Sequence, residues 1–78
     1  MIILKGELIR TNRNLIARIC DPKSEEVSIN VPPDSICMFI EMAELYEYQM
    51  TRFNVLYKKK LIELLFANTE IDECITKI

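Results

Sequence analysis

Glu41, Glu44 and Glu47 recur at every third position. Three carboxylates in such a row could hold a divalent cation, or work as a paired acid and base, if a scaffold pointed them the same way. The solvated face of a helix carries the same spacing, and we prefer that reading. Cys37 is the thiol placed where ionisation could matter. It follows Pro32-Pro33-Asp34-Ser35, where a helix is expected to begin, and a helix N-terminus lowers a thiol pKa. Its apolar neighbours Ile36 and Met38 argue for a core thiol instead. The chain has no histidine, so the commonest general base is missing. A single glycine excludes the usual phosphate-cradling loops, and no C-x-x-C pair is present. No catalytic residue, metal or cofactor is expected, and the chain is read as a non-enzyme.

The basic residues fall into two groups. Lys58-Lys59-Lys60, with Arg52 and Tyr57 nearby, could touch phosphates while the tyrosine stacks on a base. Arg10, Arg13 and Arg18 are expected on the outward side of the first two strands, as a second basic patch. A formal charge of −2 weighs against nucleic acid as the main partner, because phosphate binding rests on positive surface. Arg10, Arg13, Arg18, Lys58 and Lys60 are therefore the contacts of an alternative reading, a homodimeric nucleic-acid-binding regulator.

The elements that must position these residues divide at Pro32-Pro33. Residues 2–9 read as a strand with Ile2, Leu4 and Leu8 on one face. Residues 11–14, TNRN, have turn chemistry, and residues 15–20 are a second strand. Residues 21–24, DPKS, are a turn with proline early in it, and residues 25–31 alternate with Val27, Ile29 and Val31 inward. Three short strands predict an antiparallel meander over residues 1–33. From about 35 to 67 no glycine or proline interrupts a chain of good helix formers. Positions 36, 39, 43, 46, 50, 53, 57, 60, 64 and 67 follow alternating steps of three and four and are apolar except Lys60, as in a coiled-coil seam. Asn68 or Thr69 would cap a short terminal helix over about 70 to 76.

The expected fold is thus α+β and one domain: a three-stranded meander with a long helix, or a helical hairpin broken near Gln49 to Arg52, packed on one face. A second apolar stripe would be left over. Met38, Leu45, Tyr48, Arg52, Val55 and Lys59 on that helix surface are the expected partner contacts. The acidic first half and basic second half of the helical part favour antiparallel pairing. The fragments MIIL and INVPP resemble the small dimeric mRNA-binding carbon storage regulators. The VPPDS turn is acidic where that family grips RNA with basic groups, and the expected helical part is far longer, so no residue role is carried over.

Seventy-eight residues bury a modest core, and help from a partner or a second copy is expected. Three cysteines at wide spacing do not read as a disulfide framework and suit a reducing cytoplasm. No apolar run reaches a membrane span's length, and the start of the chain lacks the form of a signal peptide. Apolar residues make up 50% of the chain, with methionine and tyrosine where partners are met. The function expected is a small protein-binding module acting as a homodimer, of the kind phages and mobile elements use to inhibit a host enzyme or defence complex.

Overall fold

The chain carries two periodicities, and the structure follows period two. From Thr51 to Tyr57 every second residue is buried, and Ile62, Leu64 and Phe66 repeat the pattern. The computed structural model describes residues 2–25 and 27–78 and is a curled half-barrel of seven antiparallel strands. The strands are β1 (Leu8–Thr11), β2 (Leu15–Ile19), β3 (Ser28–Val31), β4 (Ile36–Leu45), β5 (Met50–Tyr57), β6 (Lys60–Ala67) and β7 (Ile75–Lys77), with a helix α1 (Ile71–Cys74) before the last. They lie in the order β3-β2-β6-β5-β4-β1-β7.

The expected α+β fold is overturned. The segment read as a long helix is three strands, and the seam is the reason it misled. In a strand a step of four keeps the face and a step of three changes it. Phe53 and Leu64 of the seam accordingly point into the core, while Ile36 lies on the outer face. The terminal helix is confined to four residues, has no side-chain cap, and leads into β7. The meander is overturned too. β2 and β3 do pair, around an Asp21-Pro22-Lys23-Ser24 turn in which Asp21 accepts from the Lys23 and Ser24 N–H groups. β1 instead joins β4 and β7 at the far side of the sheet. Residues 2–7 form no strand; Ile2 and Leu4 are exposed, as is Val27. Glu26, part of the expected third strand, lies outside the described residues.

Short connections force the curl. Asn12–Asn14 carry the chain from β1 to β2, four strand positions away, about 19 Å across a flat sheet. Three linking residues reach at most about 14 Å. Residues 32–35 make the same four-position jump from β3 to β4. The sheet must bend until both links close, and a bulge at Ile40 in β4 adds twist. Thr11 pins the crossing. It is fully buried, its hydroxyl donates to the Pro32 carbonyl at 2.7 Å, and it accepts from the Ser35 N–H at 3.0 Å.

The core fills the concave side. Phe39, Phe53 and Phe66 stack edge to face across β4, β5 and β6, with centroids 5.4 Å apart in both pairs. Such pairs contribute about 0.5–1.5 kcal/mol each beyond the area they bury. Ile9, Val31, Val55, Ile62, Leu64 and Ile75 close around them, and Cys74 of α1 seals one end.

Candidate protein-binding face

A single curled sheet has a second face. The register places Leu8 opposite Met38, Met38 opposite Leu56, and Leu56 opposite Leu61. These four side chains form an apolar row straight across β1, β4, β5 and β6 on the outer side, each 37–43% exposed. The Cys20 N–H bonds to the Leu61 carbonyl, so the half-buried thiol of Cys20 continues the row. Ile36, opposite Arg10, borders it on one side. The next row on the other side is polar: Glu41, Asn54, Glu63 and Arg18 stand opposite one another in turn. The Asn54 amide donates to Glu41 at 3.1 Å, and Arg18 donates to Glu63 at 2.6 Å. That bond, with the carboxylate's charge, raises the Arg18 pKa. The Asn54 carbonyl oxygen is buried beside them with no partner. Beyond lies a mixed row, Ala43, Arg52 and Leu65.

The expected contact residues scatter. Met38 and Arg52 are on this outer face, in different rows. Lys59 sits exposed on the β5–β6 turn. Leu45 and Tyr48 belong to the β4–β5 tip, where Tyr46–Tyr48 form one 3-10 turn, and Tyr46 and Tyr48 are 80% and 72% exposed. Val55, expected on a helix surface, is instead fully buried in the core. Leu8, Leu56 and Leu61 were missed. Their signal was present, since β5 and β6 are apolar at both parities, with Leu56, Leu61 and Leu65 on the side opposite the core.

The basic residues do not converge. Arg10 and Arg18 share the outer face but stand on β1 and β2, with three strands between them. Arg18 is paired with Glu63, and Arg13, in the β1–β2 link, lies 3.4 Å from Glu73. Lys58 lies over the Tyr57 ring, 5.3 Å from its centroid, and Lys60 opens β6 opposite Tyr57.

The three glutamates also part. Glu41 is on the outer face, Glu44 lines a cleft on the inner side, and Glu47 is on the tip. That cleft, of about 270 Å³, lies between β4, β5 and α1, with Met42 and Phe53 on its walls. Its Thr51 hydroxyl donates to Asn68 at 2.6 Å. Among the described residues no cluster of three or more metal-binding side chains forms. Cys37 begins no helix; it is buried on β4, and burial pushes its thiol up to about 11, away from nucleophile chemistry. No helix among the described residues is long and apolar enough to cross a membrane. No protein-family model, curated protein or solved structure matches the chain.

Proposed function

We propose that the chain is a small non-enzymatic protein-binding module that works as a homodimer, burying the outer apolar row against a second copy. One observation carries this reading: Leu8, Met38, Leu56 and Leu61 stand in register on four neighbouring strands and remain exposed. Single exposed hydrophobic residues are ordinary on a protein surface, whereas a continuous apolar strip marks a contact. Tyr46 and Tyr48 at the β4–β5 tip supply a separate contact for a further protein, since tyrosine is a favoured anchor at interfaces. Free thiols at Cys20, Cys37 and Cys74 suit a reducing, cytoplasmic setting.

The test is the solution mass by light scattering during size exclusion, at two protein concentrations. The natural chain is expected near twice its 9.2 kDa mass, and Leu56→Glu near one chain's mass. A natural chain that stays at 9.2 kDa at both concentrations overturns the homodimer. A Leu56→Glu variant that dimerises as well as the natural chain moves the interface elsewhere.

A further inference from the structure

Strand β4 changes face at its bulge. Phe39 points into the core, and without an extra residue Glu41 and Ala43 would follow it inward. The bulge at Ile40 turns Met42 and Glu44 inward instead, opposite Phe53 and Thr51. Met42 and Glu44 lie beyond the end of the packed core, and α1 stands across from them. The result is the apolar groove of about 270 Å³. Phe53 and Thr51 are its floor, 2% and 3% exposed, and Met42 and Ile71 are its walls. The Thr51 hydroxyl donates to the Asn68 side chain, and the Asn68 N–H donates to the Gln49 carbonyl. These bonds hold the chain that leads into α1 against β5 and the tip.

Two exposed carboxylates stand on the rim from different elements, Glu44 on β4 and Asp72 on α1. Neither is in an ion pair among the described residues, and no lysine or arginine lines the groove. Glu47 on the tip and Glu70 beside α1 add to the negative field. Next to Glu44 is the exposed ring of Tyr46, whose hydroxyl donates to that carboxylate. An apolar floor under an acidic rim fits a hydrocarbon stem with a cation at its end, which buries the stem and keeps the head in water. Lysine and arginine both have that form. Lysine is a compact point charge, whereas arginine's planar fork carries five donors and stacks on aromatic rings. Acceptors on two separate elements, with a tyrosine ring beside one of them, suit arginine.

We infer that the groove receives an arginine side chain of the module's protein partner, its stem on Met42, Phe53 and Ile71 and its guanidinium between Glu44 and Asp72. This deepens the protein-binding reading and rests on it: Tyr46 and Tyr48 meet the partner's surface, and the groove beside them takes its anchor. Arginine is among the residues that most often anchor an interface. The homodimer is a separate matter, because the groove is on the inner side and the apolar row on the outer.

The probes are a blocked glycine–arginine–glycine tripeptide, its citrulline and lysine counterparts, and agmatine, the free amine that carries the arginine side chain. Each is titrated into the isotope-labelled full chain and followed by backbone amide shifts in NMR spectra. The arginine peptide is expected to move the amides of Thr51, Asn68, Ile71 and Asp72. It should bind at least about fivefold more tightly than the neutral citrulline peptide at low salt. Glu44→Gln with Asp72→Asn, both on the exposed rim, should erase that preference and leave the rest of the spectrum in place. Equal binding of the arginine and citrulline peptides, or a preference that survives the double substitution, overturns the inference. A lysine peptide that binds as tightly overturns the assignment to arginine. Agmatine binding more tightly than the arginine peptide overturns the partner protein as the source and makes the groove a small-molecule site. None of these outcomes alters the mass read by light scattering, and the mass of one chain with the arginine preference intact would remove the homodimer alone.

Discussion

Cys37 shows what a single position does in this fold. Its side chain is 1% exposed on the inner side of β4, and desolvation of the thiolate lifts its pKa from 9.0 to about 11. A folded-state pKa raised above the unfolded one contributes stability that is fully present below the unfolded value. That contribution fades as pH rises from about 9 through about 11, because only the unfolded chain then ionises the thiol freely. Two units correspond to roughly 3 kcal/mol, at the order-of-magnitude level. Urea unfolding at pH 7 and at pH 10.5 should show a stability drop that is smaller in Cys37→Ala. The variant begins less stable, because it leaves a small cavity. An equal drop in both proteins would remove Cys37 as its source.

The β5–β6 hairpin is where element-scale reading failed, and the cause is physical. Its two-residue turn, Lys58-Lys59, has φ of 49° and 66°. Both central residues of such a turn are left-handed, which Asn-Gly adopts readily and lysine does not. With no glycine or asparagine at Lys58-Lys59-Lys60, nothing in the sequence marks a hairpin. Leucine, glutamate and lysine on either side favour helix by propensity, and packing overrode them. Gln49 and Asp34, also at positive φ, hide two further chain reversals in the same way. What was legible had its turn chemistry in place: β2, β3 and the Asp21-Pro22-Lys23-Ser24 turn between them. The alternation Phe53, Val55, Tyr57 and then Ile62, Leu64, Phe66 was legible as well, but the three-and-four spacing competed with it. The outer face stayed hidden because its row exists only once β1, β4, β5 and β6 are in register. Relieving the turn tests this account. Lys58→Asn with Lys59→Gly should raise stability by about 1–2 kcal/mol, after losing a cation–π contact worth about 0.5 kcal/mol. The readout is a higher urea midpoint at unchanged slope. A midpoint that stays put would mean the turn is not strained.

At the scale of the whole molecule, the curl that closes the core is also what leaves a face uncovered. Two short links pull β1 toward β2 and β3 toward β4, and the buried side chains fill the inside of the half-barrel. Among the described residues no element covers the outer side, and its apolar row stays part-exposed. The crossing of the two links offers a test. Thr11→Val keeps the side chain's shape and removes the hydroxyl that donates to the Pro32 carbonyl and accepts from the Ser35 N–H. Two part-buried backbone groups then lose a partner, so stability should fall by about 1–3 kcal/mol, read as a lower urea midpoint. A midpoint that does not move would mean that the links hold the curl without this hydroxyl.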